Sequence, residues 1–158
     1  MGRSIGYRCP SCGHEHMSNR GVGFLFPKVY LETAEKAKAG VLGEEIRKFF
    51  ENHPDGAINA EKVTLCCDSC GNLMEGQDLS MHVPNENYNR GVGTQVPEGS
   101  QYFMEDDLEE DFTKFADYPH KCIKCGGSMH VVRSDENLFC PECGTPMEID
   151  PDSLMMWD

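Results

Sequence analysis

The chain has 158 residues, with 14 Lys or Arg against 27 Asp or Glu, a formal net charge of -13, nine cysteines and 39% apolar residues. So acidic and polar a chain excludes one large hydrophobic core and a surface basic throughout, and it points to two small units that draw part of their folding free energy from metal. No stretch approaches the roughly 20 apolar residues of a membrane span, and the opening MGRSIGYRCP lacks the apolar segment of a signal peptide, so the expected setting is a reducing cytoplasm.

In chain order, Ile5 to Arg8 read as a strand entering a tight turn, Cys9-Pro10-Ser11-Cys12-Gly13. His14 and His16 would share one face of the following strand, but Glu15 sits between them. The His-x-Glu order of a zinc deaminase is therefore absent, and both histidines are expected to be solvated strand residues. Pro27 suits the first turn of a helix that carries Val29, Leu31, Ala34, Ala37 and Lys38 and stops at Gly40. A second helix is expected from Gly43 to Asn52, with Ile46, Phe49 and Phe50 on one face, ended by His53-Pro54-Asp55-Gly56. Lysines and glutamates alternate on both, the pattern of a solvated face, and the pair is expected to cover the first cysteine unit. Val63 to Cys66 form the next strand, entering Cys67-Asp68-Ser69-Cys70-Gly71. Cys66 would point away from Cys67, as a buried small residue rather than a ligand. Leu79 to Val83 alternate as a further strand before Pro84.

Residues 85–101 are rich in Asn, Gly and Pro and read as a linker. The pentapeptide Asn-Arg-Gly-Val-Gly occurs at 19–23 and again at 89–93. The cysteines do not repeat at the same offset, so these are two similar loops and not a duplicated domain. From Glu105 to Asp117, Met104, Leu108, Phe112 and Phe115 recur at helical spacing, predicting an acidic amphipathic helix packed on the second cysteine unit. Its Asp106, Asp107, Glu109 and Glu110 are candidate contacts for a basic partner. The final knuckles, Cys122-Ile123-Lys124-Cys125-Gly126 and Cys140-Pro141-Glu142-Cys143-Gly144, enclose expected strands at Met129 to Arg133 and Leu138 to Phe139, joined by a turn at 134–137 into a hairpin. The tail PDSLMMWD is expected to dock as an edge strand, or alternatively to offer Met156 and Trp157 to a partner.

Four Cys-x-x-Cys-Gly knuckles supply two tetrahedral sets of thiolates, the donor set of structural zinc, with glycine in a left-handed turn after each second cysteine. Four pairs combine in three ways. Close spacing favours Cys122, Cys125, Cys140 and Cys143 as one site, and elimination then groups Cys9, Cys12, Cys67 and Cys70. Two zinc ions per chain are expected. Four thiolates leave no open coordination position, and Cys66 has no neighbouring base, so the chain reads as non-enzymatic. Residues 1–71 are neutral overall, while 72–121 and 122–158 are acidic, so only the first half could touch nucleic acid.

The knuckles CPSCG at 9–13, CDSCG at 67–71, CIKCG at 122–126 and CPECG at 140–144 resemble those of rubredoxin-like zinc ribbons, and the whole chain is similar to the small tandem zinc-ribbon proteins of bacteria. The likeness covers the metal sites and little else. It implies structural zinc and a cytoplasmic setting and brings no known activity. CIKCGG with CPECG also resembles the iron-holding knuckles of rubredoxin, which makes iron electron transfer the alternative. The expectation is a small α+β metal-stabilised fold of two zinc ribbons of short antiparallel strands. Residues 1–84 would form the first, with a helical insertion at about 27–53; a linker follows at 85–101, and 102–158 hold the acidic helix and the second ribbon. Its expected work is protein binding, as a module or adaptor for a basic or nucleic-acid-associated partner. Direct nucleic-acid binding by the N-terminal half is a further alternative.

Overall fold

The computed structural model describes residues 2–86, 88, 101–133 and 136–157. Among them are nine strands and three helices, in the order β1 Gly2–Arg8, β2 Glu15–Arg20, α1 Phe26–Lys38, α2 Glu44–Asn52, β3 Ala57–Ile58, β4 Lys62–Cys67, β5 Leu73–Gln77, β6 Met81–Pro84, α3 Glu105–Asp111, β7 Phe112–Ala116, β8 Met129–Val131 and β9 Glu148–Trp157. The fold is small and α+β, and every strand pairing is antiparallel.

The chain forms two compact units, and neither is continuous in sequence. Met1–Gly23, Lys62–Gln77 and Pro119–Asp158 make a cysteine unit; Phe24–Glu61 and Asp78–Tyr118 make a helical unit. The expected division at residues 85–101 is thus replaced by an interleaved one, because β4 and β5 leave the helices and join the strands at the two ends of the chain. Most of the expected linker, and the second Asn-Arg-Gly-Val-Gly loop, lie outside the described residues.

In the helical unit, α1 carries Pro27 in its first turn and buries Phe26, Tyr30, Thr33 and Ala37, a stripe at helical spacing. Val29, expected on that stripe, is exposed. α2 buries Ile46, Phe49 and Phe50, as its spacing predicts. The sheet β3-β6-β7 completes the unit, with Ala57, Leu108 and Phe112 packed against Tyr88 and Phe103. The acidic helix is shorter than expected. α3 stops at Asp111, and Phe112 to Ala116 run as a strand paired with β6, leaving Phe115 exposed. The reason is electrostatic and local. Glu109, Glu110 and Asp111 crowd the negative end of the helix dipole, and the Phe-Thr-Lys-Phe sequence that follows suits a pleated surface better. α3 also belongs to the helical unit, not to a cysteine unit as the sequence suggests.

The cysteine unit holds two three-stranded sheets, β2-β1-β9 and β5-β4-β8. They meet where the buried hydroxyls of Ser18 on β2 and Thr64 on β4 hydrogen-bond at 2.6 Å, and where Gly21 and Lys62 exchange two backbone hydrogen bonds of 3.0 and 3.2 Å. Among the described residues, the expected hairpin between residues 129 and 139 is not formed; part of its expected turn, 134–135, lies outside them. β8 pairs instead with β4, through Leu65 with Val131 and Cys67 with Met129, and Phe139 bridges to Pro146. The tail does dock as an edge strand: β9 pairs with β1 from Trp157 opposite Gly2 to Glu148 opposite Arg8.

Candidate metal centres

All four knuckles fold alike. In each, the amide of the glycine donates to the carbonyl of the first cysteine: Gly13 to Cys9, Gly71 to Cys67, Gly126 to Cys122 and Gly144 to Cys140, at 2.8–3.0 Å. The first cysteine in turn donates its own amide to the residue after the glycine, at 2.8–3.0 Å. This closure needs the glycine in the left-handed region, and the four φ values lie between +69° and +75°. The turn directs both thiols of a knuckle to one side. The first cysteine, which follows or ends a strand (Cys9, Cys67) or follows an isolated bridge residue (Cys122, Cys140), is buried, and the second lies at or near the surface.

The sulfurs gather in two groups of four: Cys9, Cys12, Cys140 and Cys143, and Cys67, Cys70, Cys122 and Cys125, each with all ligand atoms within 4.8 Å of one another. These eight are the cysteines singled out from the sequence, but their partnership is different. The first knuckle meets the fourth and the second meets the third, in place of the expected grouping of first with second and third with fourth. Sheet pairing is the cause. β1 leads into Cys9 and pairs with β9, which follows Cys143; β4 leads into Cys67 and pairs with β8, which follows Cys125.

In the first group, Cys9 lies 3.5 Å from Cys143, Cys12 lies 3.5 Å from Cys140, and Cys12 lies 3.7 Å from Cys143. In the second, Cys67 lies 3.5 Å from Cys125 and Cys70 lies 3.8 Å from Cys122. A metal bound by four thiolates at about 2.3 Å in tetrahedral geometry sets the sulfurs about 3.8 Å apart. A disulfide would bring two of them to about 2.05 Å. Both groups therefore have the dimensions of a tetrathiolate centre that can hold one metal ion.

Polar groups around the sulfurs favour the thiolate form. The Thr145 hydroxyl lies 3.4 Å from Cys143 Sγ, the Gly127 amide donates to Cys125 Sγ at 3.4 Å, and Asn72 Nδ2 donates to Cys122 Sγ at 3.7 Å. The Thr145 hydroxyl and amide bring Cys143 down to about 6, and the amides of Cys70 and Ser69 bring Cys67 down to about 6. The His14 amide also favours the Cys12 thiolate, but the crowding thiols of Cys140, Cys9 and Cys143, with burial, push it up to about 12. Each set thus divides between readily ionised and proton-holding thiols, and a bound cation would remove the reason for the difference.

Cys66 stands outside both groups. Its thiol is half-buried, packed on the cluster of Cys9, Val132, Leu138, Cys140 and Met147, and burial raises its pKa. Alternation along β4 thus places Cys67 in one centre and Cys66 against the core of the other. Neither metal-capable group contains a histidine. His16 is half-buried, and burial holds its pKa down.

Of the residues expected to contact a partner, Asp106, Glu109 and Glu110 are exposed. Asp107 instead accepts the Met104 amide at 2.9 Å at the start of α3. All four belong to the helical unit, which holds seven Lys or Arg against seventeen Asp or Glu; the cysteine unit holds seven against ten. Met156 is exposed, whereas Trp157 is half-buried, with the Lys62 ammonium 4.9 Å from its ring centre.

The sequence reading passed over His130. On β8, its Nδ1 lies 2.6 Å from Asp68 and its Nε2 lies 2.9 Å from Glu136, so both ring nitrogens face carboxylates and the doubly protonated ring satisfies both. The Glu136 and Asp68 hydrogen bonds raise its pKa above 6.5. A raised folded value stabilises the protein fully below the unfolded value, and the contribution is lost as pH rises through the folded one. The thermal midpoint of the protein should therefore exceed that of His130→Asn by more at pH 6 than at pH 8.5. A difference independent of pH in this range would count against the charged clamp.

Comparison with protein-family models, with curated proteins and with solved structures gave no match. No helix among the described residues is long and apolar enough to cross a membrane.

Proposed function

We propose that this chain is a non-enzymatic protein-interaction module or adaptor whose cysteine unit is a pair of interlocked zinc ribbons. The observation that supports it best is the twice-repeated set of four sulfurs within 4.8 Å of one another, with pairs across the knuckles as close as 3.5–3.8 Å. Four thiolates complete the coordination of zinc, so neither centre keeps a position for substrate or an activated water. Each zinc with four thiolates carries two negative charges, which makes the cysteine unit more acidic than its side chains alone. The likeness of its knuckles to rubredoxin-like zinc ribbons agrees, and a reducing compartment such as the cytoplasm suits eight thiols kept as ligands.

A net charge of -13 disfavours direct contact with phosphate backbones and favours a basic or nucleic-acid-associated protein partner. The test is elemental analysis of protein purified without added metal, together with its visible spectrum. Two zinc ions per chain and no colour are expected. Stoichiometric iron with a red, reducible chromophore would make the chain an electron carrier instead.

A further inference from the structure

Among the described residues, the strand β9 is the outer member of the order β2-β1-β9 and is hydrogen-bonded to the sheet along one side only. Its two halves treat the open edge differently. The first half carries Glu148, Asp150 and Asp152 around Pro151, the acids and proline that natural edge strands use against unwanted pairing. There the ladder shifts register, and the irregularity is closed on itself: the Asp152 amide donates to the Asp150 carboxylate at 3.1 Å, the Ser153 hydroxyl donates to the Asp150 carbonyl at 2.6 Å, and Ser153 Oγ accepts the Gly6 amide at 2.8 Å.

The second half has no such guard. Leu154, Met155 and Met156 are three consecutive large apolar residues, 60%, 57% and 63% exposed, and Ile149 is also exposed. The strand is held in place by the ladder to β1 and by Trp157, which lies against Gly2 beneath the Lys62 ammonium. An apolar, pre-ordered edge is thus presented beside a row of carboxylates.

Charge decides among occupants. A second copy would bring the same carboxylates, and a second net charge of -13, against the first. A cationic segment would meet Glu148, Asp150 and Asp152 with opposite charge. We propose that β9 is a strand-addition site for an extended peptide segment of a partner, in which apolar residues alternate with Lys or Arg. The backbone edge supplies hydrogen bonds, the adaptable methionines accept varied apolar side chains, and the carboxylates select the charge of the partner. The proposal rests on the protein-interaction reading above and names its surface and the chemistry of its partner.

The test uses the intact, metal-loaded protein and a synthetic ten-residue peptide of alternating lysine and valine. Binding is followed by fluorescence of Trp157, the single tryptophan of the chain, and by calorimetry. Saturable one-to-one binding is expected. It should weaken at least about tenfold for the double variant Leu154→Lys with Met156→Lys, provided that variant keeps its metal, and equally when a proline replaces the central valine of the peptide, which preserves charge but removes an edge amide. A glutamate-valine peptide should not bind. Equal binding of the proline peptide, binding indifferent to the double variant, no binding at all, or a dimer in sedimentation that the double variant abolishes would each overturn the β9 site. A metal content other than two zinc ions would instead strike at the underlying reading, so the two failures are distinguishable.

Discussion

With the proposed zinc bound at both centres, withdrawing it should unfold the cysteine unit and leave the helices of the helical unit in place. The buried clusters of the cysteine unit are small and include the ligands themselves: Cys9 and Cys140 with Val132, Leu138 and Met147, and Cys67 and Cys122 with Leu65 and Met129. Removing an ion from such a cluster leaves buried thiols crowded around an empty centre. Structural zinc contributes about 10–16 kcal/mol apparent per site near neutral pH. A whole domain is stable by only about 5–15 kcal/mol, so losing both ions exceeds what the remaining apolar contacts can offset. The helical unit buries Phe26, Tyr30, Ile46, Phe49, Ile58, Leu108 and Phe112, and none of its residues is a cysteine. Amide exchange with a chelator and a thiol reductant should therefore show protection lost in β1, β4 and β9 and retained in α1 and α2. A protected β4 in metal-free protein would refute the account.

The second expected result concerns which knuckles belong together. Replacing Cys9, Cys12, Cys140 and Cys143 all by serine should leave one metal per chain, held by Cys67, Cys70, Cys122 and Cys125. Replacing Cys122, Cys125, Cys140 and Cys143 should leave none held at full affinity, because each centre then keeps a single knuckle. Pairing of neighbours along the chain predicts the opposite for both variants: none for the first and one for the second. Metal analysis after gel filtration against a competing chelator reads the difference directly. The effect is large because a lone pair of thiolates cannot close a tetrahedral shell.

What the sequence made legible was local. The four Cys-x-x-Cys-Gly knuckles announced themselves because a turn of that size needs glycine at a left-handed φ, and Gly13, Gly71, Gly126 and Gly144 all adopt it. Ile46, Phe49 and Phe50 marked the buried face of α2, and alternation along β4 placed Cys66 opposite Cys67. The pairing of the knuckles was not legible, because no knuckle encodes its partner. That choice belongs to the ladders of β1 with β9 and β4 with β8, contacts between residues far apart in the chain. Closeness in sequence misled: the short segment between Cys125 and Cys140 has the length of a hairpin, but Met129 to Val131 find a better partner in β4. The helix expected to Asp117 erred similarly. Met104, Leu108, Phe112 and Phe115 have helical spacing, but the acids before Phe112 face the wrong end of the dipole, a signal present in the sequence and outweighed by periodicity.

If both centres bind metal as proposed, the nested order of their cysteines also sets an order of assembly. The inner centre is complete once Cys125 has left the ribosome, whereas the outer one holds Cys9 and Cys12 waiting for Cys140 and Cys143. Cys70 and Cys122 are 52 positions apart, and Cys12 and Cys140 are 128 apart. Closing the longer loop directly costs about 1 kcal/mol more in chain entropy, and prior closure of the inner loop shortens the excursion that remains. A nascent chain that acquires its metals from the inside outward never searches the long loop unaided. Until the last knuckle emerges, the first is a pair of free thiols, and that interval is when the growing protein is most open to the wrong metal or to oxidation.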